Sequence, residues 1–359
     1  MKSINYSYLS RLDHLRFFAA LLVIFHHCRG TIEYRGSISS LHDLATLWLR
    51  WGATGVSLFL VLSGFLFCVI SNSGHKKISY KEFIKNRILR IAPMATILVF
   101  IVICINRQNS GPMDILRLLT LQLNTGHPYT GWGHQFYPTG PMWTIAVEFQ
   151  FYLIFPFLAL FMRNNGLKTI IGIIFIFILI KISMTSMLGT SAYYKLYHSI
   201  IGRLDQFLVG MIAGYFYQKG CFINKIFIPI VMIITSLIGL TIFMHVTSTL
   251  STKLIPLSFT IEAILWGMLI YGYVCCRISI PKRIDALIAY LGGLSFSMYL
   301  LHLVVQKVLY KSILETPTDG IGFVINTLIY ILPITIAISA LTFNFIEKPF
   351  LGLRVKYTK

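Results

Sequence analysis

The sequence predicts an all-α, polytopic integral membrane helix bundle of about ten transmembrane helices, with both termini in the cytoplasm. Three observations carry that expectation. Of 359 residues, 56% are hydrophobic and only 12% are charged, whereas soluble domains are about 25% charged. Mean hydropathy is +0.74, and the apolar residues gather in runs approaching the ~20 residues that cross ~30 Å of hydrocarbon. Net charge is +19, from 31 Lys and Arg against 12 Asp and Glu. In a membrane protein such a bias marks the sidedness of loops before it marks nucleic acid.

Ten candidate spans follow in order: 12–31, 55–72, 92–106, 142–162, 169–188, 203–218, 226–245, 258–276, 286–306 and 321–345. The third and sixth are the shortest. No soluble stretch of useful size separates them, so residues 1–359 are expected to form one membrane domain without an appended soluble domain. The first run starts near Leu15 and passes into His26, His27, Cys28 and Arg29. With no small-residue cleavage site there, it is expected to stay as a span. No repeat relates the two halves, as an inverted-repeat transporter would require. The six cysteines (Cys28, Cys68, Cys104, Cys221, Cys275, Cys276) are scattered through mostly apolar runs without metal spacing. They are expected to be small buried residues, with no metal and no disulfide framework.

Placing the N-terminus inside puts 20 of the 31 cations on cytoplasmic segments and 10 outside, with Lys181 within the fifth span. This two-to-one excess favours both termini inside. The basic residues are distributed among loops, which also speaks against nucleic acid as a partner.

Ionisable groups inside spans are costly and mark candidate functional residues. Arg16 and His27 are 11 residues apart in the first span. Eleven helical steps return to within about 20° of the same face, roughly 16 Å along the axis. Arg16 near the cytoplasm and His27 near the outside therefore share a stripe, as in the wall of a polar passage, while His26 points away. A snorkelling Arg and an interfacial His would give the same spacing. In the fourth span, Trp143 stands at the outer end and Glu148 about 9 Å deeper. An imidazole and a carboxylate meeting there would form a general-base pair. In the ninth span His302 falls some 23 Å from the cytoplasmic end. Arg203 and Asp205 open the sixth span, and Glu262 lies in the eighth; for these and His302, helix packing is an equal alternative.

Arg87 and Arg90 are expected on one face of a short basic helix in the loop 73–92, where two guanidinium forks could clamp a phosphate-rich ligand or rest on anionic lipid. Ser63-Gly64 in the second span would let a helix or a ligand approach closely. The outer loop 124–142, with Gly131, Trp132, His134, Tyr137, Pro138 and Trp143, offers aromatic faces suited to a sugar ring or to the membrane interface.

Together these pieces resemble the acyltransferase 3 family of membrane acyltransferases, which includes the O-acetyltransferases of bacterial surface polysaccharides. The resemblance runs over almost the whole chain. It rests on Arg16 and His27 with ten residues between, Phe59-Leu-Val-Leu-Ser63-Gly64, Arg87-Ile-Leu-Arg90, Trp143 to Glu148 with Tyr152, Ser297-Met-Tyr299-Leu-Leu-His302 and Glu347-Lys-Pro349. Leu60 departs from a position where the family often has a second Phe, and the periplasmic hydrolase-like domain of some members has no counterpart.

The resemblance implies an acetyl-CoA-dependent O-acyltransferase of the bacterial inner membrane, moving an acyl group from a cytosolic acyl-CoA to a glycan or lipid-linked sugar. O-antigen of lipopolysaccharide is one such acceptor. His27 would be catalytic with Arg16 its companion and Glu148 a candidate orienting carboxylate. Arg87 and Arg90 would meet CoA phosphates, Ser63 and Gly64 would line the path, and Trp143, His302 and Tyr299 would contact the acceptor. General-base transfer and an acyl-histidine intermediate are both compatible with the sequence. The competing reading is a transporter or flippase for a glycolipid or small anion.

Overall fold

The computed structural model describes residues 8–30, 32, 34, 36–105, 111–124, 142–220, 227–249 and 255–358. The aromatic segment around Gly131, Trp132, His134, Tyr137 and Pro138 lies outside them. Among the described residues fourteen helices follow one another: α1 (Ser10–Cys28), α2 (Leu41–Arg50), α3 (Thr54–Ile70), α4 (Tyr80–Ile105), α5 (Pro112–Leu119), α6 (Trp143–Asn165), α7 (Leu167–Leu188), α8 (Ser191–Tyr197), α9 (Ile200–Gln218), α10 (Phe227–Thr249), α11 (Ile255–Cys275), α12 (Lys282–Gly293), α13 (Ser295–Ser312) and α14 (Gly320–Gly352). Among the described residues there is no strand, only an isolated antiparallel bridge between Ile78 and Thr358. An all-helical architecture satisfies its backbone hydrogen bonds within each segment, as hydrocarbon requires.

Five of these helices (α6, α7, α10, α11 and α14) are long and apolar enough to cross a membrane, and the bent pairs α2–α3 (64°) and α12–α13 (63°) each qualify jointly. The protein is an integral membrane protein. Each of the ten expected spans overlaps a helix, but two need redrawing. The basic stretch ahead of the third span is not a separate loop helix. It forms the first turns of α4, which continues through Pro93 to Ile105. The ninth span is not one straight helix but breaks at Leu294 between α12 and α13. Gly292 and Gly293 weaken the helix there, and a Cβ on Gly292 would fall 1.9 Å from the Asp13 carbonyl of α1. His302 therefore sits only about 10 Å along α13 from its start.

α3 is the central element, with 14 of its 17 residues buried. Its closest neighbour is α9, and small residues make the approach possible. A Cβ on Gly64 would lie 1.9 Å from the Phe207 carbonyl, and one on Gly210 would lie 2.1 Å from the Val61 carbonyl. α1 meets α3 in the same way, Gly55 facing the Ala19 carbonyl. At the rim, α7 buries only Ile170, Ile174 and Lys181. Its exposed Ile171, Phe175, Ile176 and Leu179 form the apolar face that lipid covers. Cys28, Cys68, Cys275 and Cys276 are buried as expected, whereas Cys104 is exposed.

Candidate functional site

Helices α1, α3, α4, α6, α12, α13 and α14 line a cavity of about 270 Å³. It collects six of the residues singled out in the sequence: Arg16, Ser63, Arg87, Arg90, Glu148 and Tyr299. Each is aimed by its helix and held by a neighbour. Arg16 pairs with Asp13 one turn earlier at 2.6 Å. Glu148 accepts hydrogen bonds from Ser63 Oγ at 2.8 Å and from the hydroxyl of Tyr152, one turn along α6. Arg90 pairs with Glu347 at 2.9 Å and lies over the Phe296 ring. Glu347 also accepts from Ser297, so this buried carboxylate ties α4, α13 and α14 together. Arg87 is held differently. Its guanidinium lies over Phe67, Phe83 and Tyr152 at 5.1 to 5.7 Å from the ring centroids, and its Nε is buried without a hydrogen-bond partner.

His27 lies outside the cavity lining. Its Nδ1 is 3.0 Å from Nε2 of His302, with the rings stacked at 5.1 Å. His302 is fully buried, and its Nδ1 faces the Met298 carbonyl at 3.2 Å. A carbonyl only accepts, so His302 carries its proton on Nδ1 and offers the Nε2 lone pair to His27. His27 therefore carries its own proton on Nδ1, and its Nε2 lone pair is left on the opposite side of the ring. The side chain that meets His27 Nδ1 is thus the His302 imidazole, while the Oε1 of Glu148 is engaged by Ser63 and Tyr152. His26 turns away, as its spacing predicts, with Nδ1 at 2.6 Å from the Arg50 carbonyl. Tyr299 connects the two regions: it lines the cavity, accepts from Thr144 Oγ1 at 2.9 Å, and lies 6.1 Å from the His302 ring.

Gly64 and Trp143 are placed elsewhere. Gly64 faces the α9 backbone rather than the cavity, so its missing side chain serves helix packing. Trp143 packs on Tyr197 and His198 and belongs to the aromatic surround of Arg203. Arg203, Gln206 and Glu262 form a buried network with Thr54 and Ser57. Asp205 binds Lys181 at 2.6 Å, both fully buried. None of these lines the cavity. Two residues that sequence reasoning did not assign to the site do line it, Asp13 and Arg354. Asp13 was legible as an (i, i+3) partner of Arg16. Arg354 had no local signal beyond its charge. Among the described residues no three of His, Cys, Asp and Glu converge as metal ligands.

The sequence matches the acyltransferase-domain model of the acyltransferase 3 family over residues 9–343. The chain belongs to the acyltransferase 3 family. Curated relatives include O-acetyltransferase OatA of Staphylococcus aureus (strain NCTC 8325 / PS 47), 27% identical over 225 residues, covering 58% of this chain and 34% of OatA. Nodulation protein 10 of Rhizobium leguminosarum bv. viciae is 29% identical over 168 residues, 42% of this chain and 44% of that protein. The putative peptidoglycan O-acetyltransferase YrhL of Bacillus subtilis (strain 168) is 26% identical over 176 residues, 43% of this chain and 24% of YrhL. Each match spans less than half of the relative's own length. No solved structure matches the chain.

Proposed function

We propose that this acyltransferase 3 protein is an O-acyltransferase of the bacterial inner membrane. It crosses the bilayer ten times with both termini in the cytoplasm, and takes its acyl group, acetyl in the first instance, from a cytosolic acyl-CoA. The acceptor is a hydroxyl of a cell-surface glycan or lipid-linked sugar, such as O-antigen. The observation that carries this reading is the pairing of an arginine-lined cavity with an oriented, Nε2-basic histidine beyond it. The arginines suit the phosphates of CoA. The names of OatA and YrhL add O-acetyl transfer as the reaction class.

In this mechanism the acceptor hydroxyl gives its proton to Nε2 of His27, and its oxygen bonds to the thioester carbonyl carbon. The carbon–sulfur bond then breaks, and the CoA sulfur leaves with the proton carried by His27. His302 stabilises the transient imidazolium by accepting from His27 Nδ1. Tyr299 stands where the acyl group leaves the cavity for the histidine pair.

Labelled acetyl-CoA supplied to the cytoplasmic face of membrane vesicles tests the proposal. Label should reach an acceptor hydroxyl with wild-type protein and not with folded H27A. Near-wild-type transfer by H27A overturns the assignment. Movement of a glycolipid without acetyl-CoA consumption favours the transporter.

A further inference from the structure

One wall of the cavity lies beyond the family match. That match ends at residue 343, yet Leu351, Arg354 and Tyr357 also line the cavity. Leu351 closes α14, and residues 354–357 leave it as a non-helical tail. The tail is pinned to the start of α4. Asn86 grips the Val355 peptide with both polar atoms: Val355 N donates to Asn86 Oδ1 at 3.0 Å, and Asn86 Nδ2 donates to the Val355 carbonyl at 2.6 Å. Ser79 N donates to the Tyr357 carbonyl at 2.9 Å, and Thr358 bridges Ile78. The Tyr357 ring, 1% exposed, meets Phe83 edge-on. Asn86 precedes Arg87, and Val355 follows Arg354, so one reciprocal clamp fixes the two arginines relative to each other. Arg354 Nε donates to the Leu351 carbonyl at 2.9 Å, which sets the plane of its guanidinium.

The electrostatics point the same way. Among the described residues the cavity wall carries four arginines (Arg16, Arg87, Arg90, Arg354) and two carboxylates (Asp13, Glu148). Arg87 forms no ion pair among them and is bedded on aromatic rings instead. Burial first, then the neighbouring Arg87 and Arg90, push the Arg354 pKa below its ordinary value. Arg87 and Arg90 repel the Arg354 guanidinium in a medium of low dielectric, and the Arg90–Glu347 pair offsets only part of that repulsion. An anion with more than one phosphoryl group relieves that repulsion by meeting several forks at once.

We propose that the C-terminal tail is a clasp on the donor cavity and that Arg354 is a third phosphate-binding arm. With Arg87 and Arg90 it takes the pyrophosphate-bearing nucleotide part of an acyl-CoA donor. The assignment rests on the donor reading given above.

The protein in nanodiscs of neutral lipid is titrated with CoA and with pantetheine, which carries no phosphate. R354Q should weaken CoA binding about tenfold. R354K, keeping the charge but losing the fork, should fall between, and pantetheine should bind all three proteins alike. Wild type that binds CoA while R354Q binds it equally well overturns the clasp alone. Wild type that does not bind CoA overturns the donor reading and the clasp with it. An R354Q defect confined to discs of anionic lipid assigns Arg354 to a lipid headgroup and also overturns the proposal. If R354Q does not fold, hydrogen exchange of the wild-type protein decides. CoA should slow exchange in residues 354–358, and unchanged exchange there overturns the clasp.

Discussion

Nδ1 of His27 and Nε2 of His302 share a hydrogen bond of 3.0 Å between α1 and α13. Because His302 spends its other nitrogen on the Met298 carbonyl, the bond has a direction. It runs from His27 to His302 and leaves Nε2 as the basic nitrogen of His27. A base whose tautomer is set before substrate arrives needs no reorganisation as the proton moves.

Removing the acceptor of that bond should therefore impair transfer without touching donor binding. H302A is expected to lower kcat by about 10²-fold or more, within the usual reach of a general base, with the acyl-CoA KM unchanged. H302Q, whose amide oxygen can still accept from His27 Nδ1, should recover part of the loss. Initial rates over a range of acetyl-CoA concentrations check this. A raised KM with unchanged kcat would place His302 with the donor instead.

Glu148 should behave differently, because it lines the arginine cavity and not the histidine pair. E148Q keeps an oxygen to accept from Ser63 and Tyr152 while deleting one of the two carboxylates in the wall. Removing a negative charge beside an anionic ligand should lower the acyl-CoA KM, by roughly two- to fivefold on a partly screened Coulomb interaction. kcat and KM from steady-state kinetics separate this outcome from a role in orienting His27, which would lower kcat and leave KM as it was.

Much of this arrangement was legible in the sequence, for identifiable reasons. The spans are long apolar runs, a signal that needs no tertiary information. Arg16 and His27 share a helix, and Arg87 and Arg90 lie three residues apart, so helical geometry alone relates each pair. The partner of His27 was not legible. His302 is 275 residues away, and only the packing of α1 on α13 brings the rings together. The kink at Leu294 was not legible because Gly292-Gly293 sits inside a mostly apolar run long enough for a single span. Gly64 was ambiguous for a physical reason: a missing side chain admits a helix as readily as a ligand.

That ambiguity has its own test. A Cβ at Gly64 would lie 1.9 Å from the Phe207 carbonyl, which is backbone and cannot turn aside. G64A should force α3 and α9 apart and destabilise the protein by about 2 kcal/mol or more. Thermal unfolding in detergent measures the loss. The fraction that remains folded should bind CoA as wild type does. Weakened binding with unchanged stability would return Gly64 to the donor path.

Lys181 and Asp205 offer the sharpest separation of stability from function. α7 faces lipid along most of its length, yet Lys181 reaches inward to Asp205 at 2.6 Å, and Thr260 bonds to both. Two fully buried charges attract strongly but have lost their hydration, so the intact pair contributes little net stability. Breaking it is another matter. K181M leaves the Asp205 carboxylate buried without its cation, and should cost about 3–5 kcal/mol. The double variant K181M/D205N removes both charges and should be more stable than K181M alone, because no uncompensated charge remains. Unfolding of the two variants and wild type in one detergent checks that order. Neither residue lines the cavity, so transfer per folded molecule should stay near wild type in the double variant. A double variant as stable as wild type but unable to transfer would instead make this pair part of the chemistry, for example as a route for protons between the faces of the bundle.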